Sequence, residues 1–541
     1  MTQTLPTQPP PGPPGRRPRA SSGERRPTPA RHRGLGGLAV RIVLLAVVDA
    51  LAVHGLLALA AERSWWMFGA LLVGTVAVNV VYATKRHVPA KYLAPGIALL
   101  LVYQVYVVLY TGVAAFTNYG DGHNSDKPDA VAAILAHSET RVPDSPVQPA
   151  SVVVRGDRVG LLVTRPDRSV HLGWSGHPLE PVEQPVRDAA GRAVAAPGWD
   201  ALTYSGIAGR QKEISELRVP VTDDPNSGSL RTADGISAAA YRSTLVYDRG
   251  ADTITDRAGG VVYRPTSDGV FAAPDGTRLS PGWKVFVGPD NFRRILTDED
   301  IRGPFLGVLV WTFVFAGISV ALPFAIGLVL ATVLNGKRLR GHRIYRSLIM
   351  LPYAFPAFLA ALVWQGMLNT DYGYVNVSLL GDAHIPWLTD PWLARLSVLA
   401  VNVWISFPYM FLICTGALQA IPTEVTEAAR IDGAGRRQVL RHIKLPLLLT
   451  AVTPMLIATF AFNFNNFNVI YMLTGGGPKD PDAPIEVGST DLLISLVYKL
   501  AFGGSNRQYG MACAVSILIF VVVAAISVIG LRRSRAFEEQ T

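Results

Sequence analysis

Apolar residues run through this chain in long unbroken blocks rather than in the short alternation of a soluble core. Eight blocks stand out, at about 38–61, 66–84, 93–116, 305–334, 344–368, 392–420, 446–473 and 509–531, each near or above the ~20 residues a helix needs to cross ~30 Å of hydrocarbon. Between 118 and 300 the pattern switches. Short β-rich runs (Ser151–Arg155, Gly160–Thr164, Ser243–Tyr247, Val261–Tyr263) are punctuated by the turn pairs Gly259-Gly260, Asp268-Gly269 and Asp275-Gly276. The pattern predicts an all-α polytopic membrane protein of eight transmembrane helices, with a β-rich extracytoplasmic domain inserted between helices three and four. That domain reads as a small β-sandwich or barrel with irregular insertions. From it, Val287–Phe292 leads into the fourth helix as an interfacial segment.

Charge sets the direction of the helices. Basic clusters occur in the tail (Arg16, Arg17, Arg25, Arg26, Arg31, Arg33), at Lys85, Arg86 and Lys91, and at Lys337, Arg338, Arg340, Arg343 and Arg346. Two more occur at Arg430, Arg436, Arg437, Arg441 and Lys444, and at Arg532, Arg533 and Arg535. Positive charge beside spans marks the cytoplasmic face, and eight spans place all five clusters there, with both termini inside. The opposite loops carry Glu62, Asp371, Asp382 and Asp390 and few cations. The resulting organisation is a disordered basic tail at 1–36, three helices over 37–117, the β-rich domain at 118–300, a five-helix core over 301–534 and a second tail at 535–541. Residues 1–36, rich in Pro, Arg, Gly and Ser, cannot bury a core. They serve as a topology determinant or as a contact for anionic membrane lipid. The first apolar block is too long for a signal h-region of about 7–15 residues and is followed by more spans, so it is retained.

Composition narrows the classes. With 541 residues, 49% hydrophobic and 17% charged, the chain suits many spans. Its net charge of +10 is gathered in the tail and short loops, which argues for orientation in a membrane and against nucleic acid. Cys414 and Cys513 both fall in apolar blocks, so no disulfide framework or metal site is expected. His123, His137, His171 and His177 are scattered, and no nucleophile–base or paired-carboxylate arrangement stands out in 118–300. That region reads as a dock for an extracytoplasmic partner or as a passive spacer.

Candidate chemistry sits in three places. At 422–446, Glu427-Ala428-Ala429-Arg430-Ile431-Asp432-Gly433 precedes Ile443-Lys444-Leu445-Pro446. The first run is helical, Gly433 stops or bends it, and Pro446 starts the next span. The result is a cationic helix–glycine–helix knob. In the seventh block Thr459, Phe462, Asn463 and Asn466 recur at i, i+3, i+4 and i+7, one helical face. A phenyl ring beside amides and a hydroxyl suits a sugar, while interhelical pairing is the alternative. Asn465 and Asn468, off that face, suit pairing. In the sixth block Ile405, Ser406 and Tyr409 share a face beside Pro408, which would kink the helix. For these a binding face and simple packing stand level.

The knob resembles the coupling loop of membrane subunits of binding-protein-dependent ABC importers: EAA, three residues, Gly, nine residues, I-x-LP. From about residue 285 onward the chain resembles the larger membrane subunit of the maltose/maltodextrin importer family. The resemblance rests also on Phe116-Thr117-Asn118-Tyr119, Leu351-Pro352-Tyr353-Ala354, Ala461–Phe467, Leu473–Pro478 and Thr490-Asp491-Leu492-Leu493. It implies a mid-membrane sugar site at Ile405, Ser406, Tyr409, Thr459, Phe462, Asn463 and Asn466. Ser406 replaces a glycine of the family and Thr459 a serine, departures that bear on which oligosaccharide fits. It implies ATPase coupling through Glu427, Ala428, Ala429, Asp432, Gly433, Leu445 and Pro446. The implied partners are a second permease subunit, two ATP-binding subunits, an extracytoplasmic sugar-binding protein and the sugar.

No G-x-x-x-x-G-K-[ST] occurs; the Gly336-Lys337 pair is followed by Arg338. The chain is therefore expected to be a transporter subunit without an ATPase site or cofactor of its own, ATP and Mg being used by the partner ATPase. An importer of trehalose or another oligosaccharide is the near alternative. An ion-coupled secondary transporter is the distant one, for which Asp49 and His54 in the first span are the candidate ionisable groups.

Overall fold

The computed structural model describes residues 35–61, 64–83, 88–334, 341–481, 483, 485–504 and 506–538. The tail over 1–34, Glu62, Lys85, Arg86, Lys337, Arg338, Arg340 and residues 539–541 lie outside these. The chain divides into two compact units, 1–107 and 108–541.

The first unit holds α1 (Leu35–Ala61), α2 (Trp65–Ala83), α3 (Val88–Leu100) and a π turn at Leu101–Val105, after which the chain runs on as α4 (Tyr106–Ala114), most of which belongs to the second unit. Asp49, costly in hydrocarbon, accepts a 2.7 Å hydrogen bond from Asn79 Nδ2. It pairs α1 with α2.

In the second unit, residues 116–119 join membrane helix to β-rich region. Asn118 Nδ2 donates to the carbonyls of Asp268 and Trp283 at 2.7 and 3.0 Å, and its Oδ1 accepts from Val285 N at 2.8 Å. Strands Gln148–Arg155, Arg158–Thr164, Val170–Trp174 and His177–Pro181 form consecutive antiparallel hairpins. Beyond Gln148–Arg155 the sheet continues through Ser237–Ser243 and Ser229–Arg231 to Val219–Pro220, seven strands in line that two side strands bring to nine. Alternation puts Val152, Leu161 and Val163 on one face, under Ile214 and Leu217. Val153 and Leu162 fill the other, under Ala193, Ala196 and Trp199. α6 (Tyr204–Gly209) and α7 (Gln211–Glu216) thus cover a sheet face that a second sheet would cover in the expected sandwich. A separate four-stranded meander, Leu245–Asp248 to Phe271–Ala272, packs under α5 (Lys127–His137). Leu135 and Phe271 are almost wholly buried there, each contributing roughly 1.5–3 kcal/mol. The predicted run Ser243–Tyr247 is split, Ser243 ending one strand and Leu245 opening the next.

The remaining helices are α8 (Asp290–Thr297), α9 (Glu299–Leu334), α10 (His342–Ala354), α11 (Ala357–Met367), α12 (Pro391–Ala420), α13 (Thr423–Ile431) and α14 (Arg436–Val439). After them come α15 (Leu445–Phe464), α16 (Phe467–Leu473), α17 (Leu493–Phe502) and α18 (Tyr509–Glu538). Among the described residues, seven helical runs are long and apolar enough to cross a membrane, and the α10–α11 pair would be an eighth. Two spans differ from expectation. The block 344–368 is broken by 89° between α10 and α11. Pro356 pushes Phe355 to extended geometry (φ −84°, ψ 134°), and Pro352 takes one N–H out of the preceding turn. The block 446–473 is shifted: the crossing run is Arg436–Phe464, and the chain leaves helical geometry at Asn465 and Asn466 before α16 begins. Pro408, by contrast, lies within a continuous α12.

Candidate functional site

Glu427, Ala428 and Ala429 ride on α13. The helix stops because Gly433 adopts φ +88°. Gly433 N donates to Arg430 O at 3.1 Å and Ala434 N to Ala429 O at 2.9 Å. This paired closure satisfies the last carbonyls and needs a left-handed residue, a conformation glycine takes without Cβ penalty. Glu427, Ala428, Arg430 and Asp432 are exposed, and Ile431 is 86% exposed. The return limb differs from expectation. Leu445 and Pro446 do not open a new helix, because the run is helical from Arg436 onward. A π turn at Leu440–Lys444 closes with Leu445 N on Leu440 O and carries the chain past Pro446, which has no N–H to donate.

The four residues placed on one face of the seventh block separate. Thr459 Oγ1 turns back on its own helix, donating to Met455 O at 2.8 Å. Phe462 projects from the chain, 72% exposed, whereas Asn463 is 1% and Asn466 7% exposed. Asn466 has left α15 altogether. It caps α16, its Oδ1 accepting from Val469 N at 3.4 Å. The amides meet a residue that the sequence reading passed over. Asn402 Nδ2 donates to Asn463 Oδ1 at 2.9 Å, and Asn466 Nδ2 donates to Asn402 Oδ1 at 3.0 Å. The pairing expected of Asn465 and Asn468 thus falls to Asn402, Asn463 and Asn466, while Asn465 and Asn468 are exposed. The signal for Asn402 was present: with Ile405, Ser406 and Tyr409 it completes i, i+3, i+4, i+7 on α12.

On α12, Ile405 packs against an apolar cluster that includes Trp364 and Val401. Ser406 is part-buried, and Tyr409 stacks on Tyr353 at 6.1 Å between centroids. At the start of α12, the Arg395 guanidinium lies 5.1 Å from the rings of both Trp311 and Trp392, and its Nε donates to Ser489 O at 2.8 Å. Nearby, Asp491 is fully buried and pairs with Lys499 at 2.6 Å. Its carboxylate also accepts from Gly488 N and Ser495 Oγ at 2.7 and 2.8 Å. Neither Arg395 nor this pair was singled out from sequence; a lone charge in an apolar run was the available signal. Clefts of ≈ 680 Å³ (by Arg395 and Pro478) and ≈ 590 Å³ (by Trp174 and Glu213) are lined by other residues than the seven sugar candidates. Of those candidates Phe462 is exposed, Ile405, Ser406, Tyr409 and Thr459 are half-buried, and Asn463 and Asn466 belong to the buried amide cluster.

Residues 323–535 match the family described as "Binding-protein-dependent transport system inner membrane component". Residues 98–176 match "N-terminal of TM subunit in PBP-dependent ABC transporters". Several apolar spans with an exposed helix–glycine–helix loop thus define a membrane component of a binding-protein-dependent transporter. The maltose/maltodextrin transport system permease protein MalF of Vibrio parahaemolyticus is 34% identical over 484 residues, 86% of this chain and 89% of that protein. The MalF of Salmonella typhi is 34% identical over 84% of this chain and 88% of its own length. This chain belongs to the MalF family of maltose/maltodextrin permease proteins. A solved bacterial ABC transporter involved in the import of alginate is similar at 23% identity, with a TM-score of 0.40, over 46% of this chain and 84% of that one.

Proposed function

We propose that the chain is the membrane-spanning permease subunit of an ATP-driven importer of maltose or maltodextrins. In this reading eight helices cross the membrane, α10 and α11 together making one of them. The β-rich region lies outside, between the third and fourth, where it docks a sugar-binding protein. Both termini and α13 are cytoplasmic. The partners are a second permease subunit and two ATPase subunits, which use ATP and Mg. Ile405, Ser406, Tyr409, Thr459 and Phe462 face the sugar path, with Asn463 and Asn466 at its wall. The path is completed by the second permease.

The observation that carries the mechanism is the connectivity of the loop over 422–446. It joins α12 to α15, and the same two helices are tied at depth by Asn402 and Asn463. A displacement of α13 by a closing ATPase dimer is therefore delivered to both sugar-bearing helices as one body, rocking the path between inward and outward states. α12, 30 residues long, reaches about 45 Å at 1.5 Å per residue, enough to carry that motion across the bilayer.

The test is the ATPase rate of the co-purified complex in lipid, with and without a maltodextrin-loaded binding protein. Stimulation that is lost in Glu427→Ala is expected. No co-purifying ATPase, with uptake driven by an ion gradient, would overturn the proposal; Asp49, already bonded to Asn79, gives that competitor little support. A second reading is another oligosaccharide such as trehalose, since the part-buried Ser406 stands where the family has glycine and bears on which sugar fits. Stimulation by that sugar alone would select it.

A further inference from the structure

The cleft of ≈ 680 Å³ beside Arg395 is built by three stretches of the chain: the first turns of α9, the start of α12 and the segment that follows Pro478. On α9, Gly303 and Gly307 lie one turn apart and both line it. A Cβ on either would meet nothing within 4 Å, so the groove is open for want of side chains. Across it stands a cation without an anion. Arg395 is half-buried, with its guanidinium 5.1 Å from two indole rings and its Nε pinned to Ser489 O at 2.8 Å. These contacts fix the plane of the group. They leave its two Nη atoms, the fork that grips a phosphate or carboxylate, with no hydrogen bond or ion pair among the described residues. Neighbouring charges are already matched: Lys479 pairs with Glu486 at 3.3 Å and Lys499 with Asp491 at 2.6 Å, while Asp480 follows Lys479 at the rim. Trp311, 8% exposed, adds a second unmet donor, since its Nε1 has no partner among the described residues.

Depth names the anion. α9 has 36 residues and is ~54 Å long, ~24 Å more than the hydrocarbon it crosses. Shared between its two ends, that excess puts roughly its first eight residues in a headgroup layer. α12, with 30 residues, likewise has roughly its first five there. Gly303 and Arg395 therefore both fall at the level of lipid phosphates. Trp392, 75% exposed, is the aromatic residue expected at that boundary. Below it, Val310 and Leu396 are 62% and 56% exposed and offer apolar surface to acyl chains.

We propose that this cleft is a phospholipid site. Arg395 grips the phosphodiester through its Nη atoms, the glycine groove of α9 admits the glycerol backbone, and Val310 and Leu396 carry the acyl chains. Basic pockets between membrane helices take lipid head groups in this way. The proposal needs only that α9 and α12 cross the membrane; it is independent of the sugar carried.

The co-purified complex, stripped of lipid in detergent, is titrated with palmitoyl-oleoyl phosphatidylglycerol, with the matching phosphatidylethanolamine and with the matching diacylglycerol, which lacks the phosphate. Bound lipid is counted by native mass spectrometry. A phospholipid of either head group should bind more tightly than the remaining lipid, and diacylglycerol should not take its place. Arg395→Gln should weaken that binding by roughly tenfold or more, as the loss of a charge-assisted pair implies. Gly307→Leu, which fills the groove and leaves Arg395 in place, should weaken it as well. That second variant keeps the test decisive should Arg395→Gln not assemble. Unchanged binding in both variants, or diacylglycerol held as tightly as phospholipid, would overturn the proposal. Displacement of the lipid by millimolar inorganic phosphate would overturn it too, making the cleft a site for a free anion. A wild-type complex that holds no phospholipid in preference would assign Arg395 to an acidic side chain of a partner subunit instead.

Discussion

Replacing Gly433 separates a requirement for space from a requirement for backbone conformation. A Cβ built on Gly433 meets nothing within 4 Å, while the backbone sits at φ +88°. No clash is created within the chain, so the cost of a side chain is conformational, roughly 1–2 kcal/mol for an ordinary L-residue in left-handed geometry. Asparagine should cost less, since its short polar side chain tolerates that region, and a β-branched residue more. At 1.4 kcal/mol per factor of ten, Gly433→Ala disfavours the capped end of α13 by roughly 5- to 30-fold. Only the capped form holds Glu427 and Ile431 on one rigid knob, so the apparent affinity for the ATPase subunit should fall by up to that factor. Sugar taken up per ATP hydrolysed, with ATPase co-purification, is the assay. Loss should increase in the order Asn, Ala, Val. Wild-type coupling in Gly433→Val, or Asn as damaging as Val, would refute the backbone argument.

Two further substitutions probe the buried ion pair and the proposed sugar path. Lys499→Ala leaves the fully buried Asp491 without its cation, which should cost about 3–5 kcal/mol; an unchanged thermal midpoint of the purified complex would contradict it. Phe462→Ala removes a ring that is 72% exposed, so stability should stay within about 0.5 kcal/mol while sugar uptake falls. Equal losses of stability and uptake would mean that Phe462 serves packing instead.

Long-wavelength features were legible in the sequence. Blocks of about 20 apolar residues imply spans because every backbone polar group must be satisfied inside the helix in hydrocarbon. The end of α13 was legible too, since glycine after Ile431-Asp432 is a local conformational signal. The β-rich runs Ser151–Arg155 and Gly160–Thr164 were legible from composition, and each lies inside a longer strand, Gln148–Arg155 and Arg158–Thr164. The break at Asn465-Asn466 was harder. Asn463 and Asn466 share a face only if the helix continues, and it stops because Asn466 satisfies the N-terminus of α16 instead. The 89° bend at Phe355 likewise depended on two prolines inside one apolar block, which hydrophobicity alone reads as a single span.

The sequence by itself determined that this is a many-span permease with an inserted β-rich region and a glycine-capped helical knob, because spans, turns and caps are encoded within a few residues of one another. Only the tertiary structure decided that Asn402 anchors Asn463 and Asn466, that Arg395 lies between two tryptophans and that Asp491 is sealed by Lys499. A hydrogen bond between helices 61 residues apart leaves no mark on local periodicity. It exists because α12 and α15 bury their polar groups together, where water cannot satisfy them.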